Sequence, residues 1–358
     1  MKFFYPVLFL LLLSGCKGKN YSDNFISING KTQGTTYQVN YFEKKSTLFQ
    51  GEIDSILRLV DTSFSTYSPA SILSAFNRSD TGCRVNEHIL KVYWKSLEIY
   101  ENSHGAFDPT VKPLVDFWGF GSKKMESNDS PDTTKVNSLL KNVGLNKVKL
   151  FEKTENKIYT YKSDQLFPPG EYFLLKENSA IQLDFNAIAQ GYTVDLVSEF
   201  LESRGVENFM VEIGGEVRVK GKNPAGISWE IGIDKPKEEF SAGRPLQAIL
   251  SLNNLAVATS GNYRKYYVKN GIKYSHTIDT KTGFPVRQNP TMLSVSVIME
   301  KCMDADGYAT AFMAGGLNNS LKFISEKKEI GAYIVYDENG NWKTFISEKI
   351  KNIINDKM

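Results

Sequence analysis

The spacing of hydrophobic residues changes part-way along this chain, and that change restricts the fold more than any other feature. Up to about residue 205 the strong signals have a helical period. Ile53, Ile56, Leu57, Val60 and Phe64 fall on one stripe, and Ile72, Leu73 and Phe76 form a shorter one after the turn Ser65-Thr66-Tyr67-Ser68-Pro69. Residues 89–100 give an amphipathic helix, and residues 187–201 give the strongest, with Ile188, Tyr192, Leu196 and Phe200 every four residues and Gly205 just past its end. From Asn208 onward the pattern is mostly strand, in runs over 209–213, 216–219, 229–233, 248–252, 273–278 and 293–299, with glycines between them. Helices over about 304–313 and 317–325 intervene, and a last strand pair lies near 332–336 and 342–345. Earlier, residues 26–41 read as a strand pair, short strands lie near Val148, Ile158 and Tyr172, Asp108-Pro109 opens a helix, and 122–134 is a polar surface loop. Helices and antiparallel strands in separate blocks predict an α+β fold, not a doubly wound sheet. The chain has 358 residues, enough for a core that needs no staples, and it shows no repeat and no clean linker, so one intertwined unit is expected.

The amino terminus reads as an address. Lys2 precedes an unbroken apolar or aromatic run over residues 3–13. A helix that spans a bilayer takes about 20 residues, so this run is too short for one. It suits a secretory signal, with a basic start, an apolar middle and the small residues Ser14 and Gly15 before Cys16. Leu13-Ser14-Gly15-Cys16 looks like a bacterial lipobox, in which the cysteine is diacylated and begins the mature chain. The expected organisation is a lipoprotein signal peptide over 1–15, a small polar tether over 16–25 and one domain over 26–350. Such a protein faces the periplasm, held to the membrane through lipidated Cys16, with inner or outer membrane left open. Cys83 and Cys302 are then expected to be small, buried apolar residues.

Lys+Arg of 43 against Asp+Glu of 40 gives a net charge of +3, no field for a phosphate backbone, so no nucleic-acid partner is expected. Three cysteines and three histidines leave little stock for a zinc cluster. Chemistry therefore has to come from other groups. In Asp304-Ala305-Asp306-Gly307-Tyr308-Ala309-Thr310, a carboxylate and a hydroxyl four residues apart share one helical face, as a Mg²⁺ site would use; equally, Asp304 could cap the helix and Asp306 favour its positive end. His276, in Ser275-His276-Thr277-Ile278-Asp279, is a general-base candidate or a structural histidine on a strand. In that strand Asp279 points to the opposite face, which argues against a direct relay within the strand. Ile213-Gly214-Gly215-Glu216 and Thr259-Ser260-Gly261-Asn262-Tyr263 read as turns after strands that let a ligand approach the backbone. Tyr67, Phe107 and Trp118 could stack on a flat ring or fill the core, and His88 and His104 are expected at the surface.

These motifs occur in a fixed order from Gly30 to about Phe345, together with Gly34-Thr35-Thr36-Tyr37, Gly105-Ala106-Phe107-Asp108-Pro109-Thr110, Trp118-Gly119-Phe120-Gly121 and Leu183-Asp184-Phe185-Asn186-Ala187-Ile188-Ala189-Gln190-Gly191-Tyr192. As a set they resemble the ApbE family of flavin transferases, bacterial lipoproteins that move FMN from FAD onto a protein threonine. The resemblance implies a single T-fold-like unit of antiparallel strands with packed helices, with 26–350 as the FMN transferase domain. It also implies that Gln33, Tyr67, Ala106, Phe107, Asp108, Asp184, Gln190, Thr259, Ser260 and His276 bind the FAD. The backbone oxygen of Ala187, with Asp306 and Thr310, would hold Mg²⁺ against the pyrophosphate. His276 would take the proton of the acceptor hydroxyl, with Asp306 as its catalytic companion. The implied partners are FAD and threonine-bearing flavoproteins of membrane electron-transfer complexes. Three departures stand out: the family's usual Asp-Leu-Gly-Gly-Ile-Ala-Lys-Gly is here 184–191, with its paired glycines replaced by Asn186 and Ala187 and its lysine by Gln190, and Thr280 stands where a proline commonly follows Asp279. A Mg²⁺-dependent FAD pyrophosphatase giving FMN and AMP, and a non-catalytic periplasmic FAD-binding lipoprotein, remain the alternatives.

Overall fold

The computed structural model describes residues 24–121, 132–160, 167–236, 245–262, 266–269 and 272–356. The signal-like run, Cys16, the tether up to residue 23, most of the 122–134 loop and Tyr263 lie outside the described residues. In chain order the elements are β1 (Asn24–Thr32), β2 (Thr35–Glu43), α1 (Gln50–Phe64), α2 (Ile72–Arg78), β3 (Gly82–Val85), α3 (Glu87–Asn102), α4 (Lys112–Phe117), α5 (Thr133–Leu140), β4 (Val148–Glu152), β5 (Lys157–Tyr159), β6 (Tyr172–Lys176) and α6 (Ala189–Ser203). They continue with β7 (Phe209–Ile213), β8 (Glu216–Lys220), β9 (Trp229–Asp234), β10 (Leu246–Leu252), β11 (Leu255–Gly261), β12 (Tyr266–Lys269), β13 (Ile272–Ser275), β14 (Thr291–Met299), α7 (Cys302–Gly315), α8 (Leu317–Glu326), β15 (Gly331–Glu338), β16 (Asn341–Ile346) and β17 (Ile354–Asp356).

The centre is an eight-stranded antiparallel sheet in the order β1-β2-β7-β8-β11-β14-β15-β16, so both halves of the chain build one layer. Alternation along each strand decides what the two faces hold. On β8 and β11, Val217, Val219 and Val257 join Trp229, Ala248 and Leu250 of the three-stranded β17-β10-β9 sheet on one side. Ala256 and Ala258 point the other way, toward α6 and α7. Burial on both faces of β14 holds Val295 and Val297 on the helix side and leaves Ser294 and Ser296 buried on the other. A four-stranded sheet, β3-β6-β4-β5, shares the helix-side core with α3 and α7.

Helix α7 is buried almost all round, which makes it the central helix of the molecule. It lies close against α6 because Gly191 has no side chain: a Cβ there would stand 2.4 Å from the Cys302 carbonyl oxygen. Neither helix caps its own amino terminus with a side chain; each uses a carboxylate of the other. Asp195 of α6 accepts from the Cys302 and Met303 amides at 3.0 and 2.9 Å, and Asp306 of α7 accepts from the Gly191 amide at 3.0 Å.

Several local expectations change. Asp304 is no cap: it sits in the first turn of α7 and pairs with Lys95 of α3 at 3.1 Å. His88 is buried, 2.8 Å from the Tyr192 hydroxyl through Nδ1, because α3 turns that face onto α6. Cys83 is only half-buried, while Cys302 is fully buried. Asp108 opens a 3-10 turn, Pro109–Val111, ahead of α4. The strand expected over 273–278 ends at Ser275, because Asp279 begins a turn in which its amide donates to Phe284 and the Gly283 amide donates back to Asp279, both at 2.8 Å. His276 therefore lies on a bend, and Thr259, Ser260 and Gly261 belong to β11, not to a turn after it.

Candidate active site

A cavity of about 400 Å³ opens where the start of α6, the middle of α7, the end of β11, the 106–112 segment and the 276–280 loop meet. Tyr67, Ala106, Phe107, Asp108, Asp184, Ala187, Gln190, Thr259, Ser260, His276, Asp306 and Thr310 all line it. Gln33 does not. It occupies the tight β1–β2 turn with φ of 50° and donates its amide to Thr193 Oγ1 at 2.8 Å, which ties that turn to α6.

The local sequence explains each placement. Ser260 continues the period-two series of Ala256 and Ala258 on the helix side, which brings its Oγ to 3.4 Å from Thr310 Oγ1 of α7. Thr259 points to the opposite face and shares a 2.7 Å hydrogen bond with Ser296. Thr310 follows Asp306 by one helical turn, so carboxylate and hydroxyl face the same space. The Gly191 amide donates to Asp306 where a regular helix would have it donate to the Ala187 carbonyl; Ala187 is thereby left out of the ladder, on the cavity wall. Gly214, with φ of 68°, keeps the floor open, since a Cβ there would stand 2.6 Å from Gln190 Nε2.

Burial dominates the electrostatics. It pushes the Asp306 carboxyl up to about 7, against the lowering effect of the Gly191 amide. It pushes Asp108 up to about 6, although that carboxylate accepts from the Thr110 amide and hydroxyl at 2.8 and 2.6 Å. Asp184 accepts from the Asn186 amide at 2.8 Å, and its own amide donates to Pro109, which joins the 184–190 segment to the 106–110 segment. The aromatic candidates separate by burial. Phe107 and Trp118 are core residues, Trp118 donating from Nε1 to the Gly283 carbonyl at 2.8 Å and stacking on Tyr274, whereas Tyr67 is 75% exposed at the cavity edge. Trp118 thus braces the loop carrying His276, and Thr280 Oγ1 adds a 2.5 Å bond to the Gly105 carbonyl.

Three further residues have a part in the site. Glu216 lines the cavity directly after the Gly214-Gly215 turn. Lys112 is the lysine among its described lining residues and is already paired with Asp116 at 2.6 Å. Asp195 orients α7, and Arg218 at 2.9 Å compensates its charge; an acid inside the apolar stripe 188–200 was the clue to it. Hard oxygens from Asp306, Thr310 and Ala187, with waters and a substrate phosphate completing the shell, match what Mg²⁺ accepts. Among the described residues no group of three or more His, Cys, Asp or Glu side chains comes together.

Known proteins resemble this chain over nearly its whole length. The chain matches the ApbE family over residues 33–334. It is 32% identical to the FAD:protein FMN transferase of Haemophilus influenzae, covering 98% of this chain and 97% of that one, and 34% identical to that of Vibrio cholerae, covering 96% of each. Among solved structures, the flavin transferase ApbE from Vibrio cholerae superposes with a TM-score of 0.77 at 30% identity over 92% of this chain and 99% of that one. The apo form of the Pseudomonas stutzeri flavinyl transferase ApbE gives 0.75 at 29% identity over 92% and 97%.

Proposed function

The chain belongs to the ApbE family, and on that footing we propose that it transfers FMN from FAD to the hydroxyl of a threonine in an acceptor protein, releasing AMP. The observation that carries this reading is the meeting of His276 with the oxygen set Asp306, Thr310 and Ala187 in one cavity large enough for a ligand. The acceptor oxygen attacks the FMN-side phosphorus, a new P–O bond forms, the pyrophosphate P–O bond breaks, and AMP leaves with the bridging oxygen. His276 takes the hydroxyl proton, which sharpens a weak nucleophile. Bound Mg²⁺ would neutralise the pyrophosphate and its leaving group. The lining supports that need: Asp108, Asp184, Glu216 and Asp306 face the space, and Lys112 is committed to Asp116, so a dianionic pyrophosphate requires a cation brought with it. Asp306 and Thr310, one turn apart on a buried helix, would hold that cation, while Asp184 and the 106–108 backbone would hold the ligand in line. The amino-terminal sequence supports the location. Acylated Cys16 tethers the domain on the periplasmic side, within reach of threonine-bearing flavoproteins of membrane electron-transfer complexes.

The protein incubated with FAD, Mg²⁺ and a purified acceptor domain is expected to leave flavin fluorescence on the acceptor after denaturation. Free FMN alone would instead establish hydrolysis. EDTA is expected to abolish transfer, and His276→Ala to slow it about 10²- to 10⁴-fold; full activity after chelation would remove the metal assignment, and a wild-type rate in the variant would remove the base.

A further inference from the structure

A second cavity, of about 310 Å³, abuts the first. The two share only Ala106, Thr280 and Ala314, so the wall between them is a single layer of small side chains. We propose that this second cavity is the docking subsite for the acceptor polypeptide, taking an apolar or aromatic side chain a few residues from the accepting hydroxyl; the proposal rests on the transferase reading above.

The lining suits a neutral peptide and not a nucleotide. Its floor is a ring cluster of Tyr308, Phe312 and Phe323, with centroids 5.5 to 6.0 Å apart. Aromatic surface of this kind binds apolar side chains and has no preference for an anion. Asn102 and Asn319 stand at its edge, oriented by bonds from their amide nitrogens to Tyr308 Oη and the Gly315 carbonyl, both at 2.9 Å. Side-chain amides fixed in this way can pair with the N–H and C=O groups of an extended chain. Lys281 and Lys322 are matched by Asp279 and Glu326, which leaves the rim balanced in charge. The subsite also continues from the catalytic loop: Thr280, four residues after His276, forms part of the shared wall and is bonded to Gly105. An extended peptide advances about 3.3 Å per residue, so a chain with its hydroxyl at His276 that crosses the shared Thr280 wall presents its next few side chains to the second cavity.

Asn319→Trp fills the cavity from an exposed helix position, and Phe323→Ala removes part of its floor. Both variants are assayed with FAD and Mg²⁺, for flavin transfer as a function of acceptor concentration, for release of FMN and AMP without acceptor, and for FAD affinity by flavin fluorescence. Each is expected to raise the KM for the acceptor about tenfold while FAD affinity and acceptor-free hydrolysis stay at wild-type values. An unchanged acceptor KM in both variants overturns the proposal, as does a matching loss of FAD affinity, which would make the cavity part of the flavin site. Wild-type protein that hydrolyses FAD but never modifies an acceptor would instead overturn the transferase reading, and this subsite with it.

Discussion

Asp108 and Asp306 are both buried acids beside the same cavity, yet their surroundings give them different work. Asp306 accepts one amide and has the Thr310 hydroxyl one turn away, the pair the proposed cation would use. Asp108 spends its Oδ1 on the amide and hydroxyl of Thr110 and caps a 3-10 turn, so its role is to shape the 106–110 segment. Its carboxyl rises from 3.8 to about 6, which means that the folded protein holds a proton there that the unfolded chain has lost. Stability therefore falls as pH climbs through that interval, by on the order of 3 kcal/mol from this group alone. Asparagine at position 108 keeps an acceptor oxygen for the cap and does not titrate. The stability of Asp108→Asn relative to wild type, from urea midpoints, is expected to increase between about pH 4 and pH 6 and to level off above about pH 7. Parallel curves for the two proteins would show that the Asp108 proton is not linked to folding.

At the scale of elements, the site depends on how closely α6 and α7 approach. Gly191 permits the contact, and its amide holds the Asp306 carboxylate. Alanine at 191 would press a methyl group against the backbone at Cys302 and the Asp306 Cβ, 2.4 and 2.7 Å away, where no flexible side chain can yield. Overpacking of this kind costs about 1–3 kcal/mol. Because the amide–carboxylate bond orients a proposed metal ligand, Gly191→Ala is also expected to raise the Mg²⁺ concentration for half-maximal activity about 10- to 100-fold. Wild-type Mg²⁺ dependence in a destabilised variant would separate packing from metal binding. This contact also marks the limit of what the sequence discloses. Period 3.6 and period 2 located α1, α3, α6 and most strands of the central sheet, because each buries a regular face. The residues gathered around Asp306 were legible as ordered motifs, since turns, hydroxyls and acids at short spacing leave local traces. The reciprocal capping by Asp195 and Asp306 joins residues more than a hundred positions apart, and no local pattern records it. The hydrogen bond of Gln33 is equally hidden: its motif is local, but its partner Thr193 is 160 residues away. His276 was assigned to a strand because β-prone residues surround it, and the turn closed by Gly283 and Phe284 took precedence over that propensity.

Across the whole molecule, the cavity is assembled from segments between Thr66 and Ala314 that meet only in the folded state. A ligand that binds there stabilises the entire fold, by about 2.7 kcal/mol when present at 100 times its Kd. Under the proposed reading FAD and Mg²⁺ would not act there independently. The pyrophosphate would supply oxygens that the three proposed protein donors leave missing, and the cation would offset the carboxylates that line the cavity. Linkage is reciprocal, so each ligand must raise the affinity for the other by the same factor. Thermal unfolding is therefore expected to rise modestly with Mg²⁺ alone or FAD alone, and by clearly more than the sum of the two shifts when both are present. Asp306→Asn is expected to retain the shift with FAD alone, because the proposed contacts through Asp184 and residues 106–108 do not involve Asp306, and to lose the excess seen with both. Additive shifts in the wild-type protein, or an excess that persists in Asp306→Asn, would mean that the cation does not sit between Asp306 and the pyrophosphate. The same titration repeated with AMP in place of FAD tests the division of labour along the cavity, since AMP lacks the pyrophosphate and should show FAD-like coupling to Mg²⁺ only if the coupling came from the adenylate end.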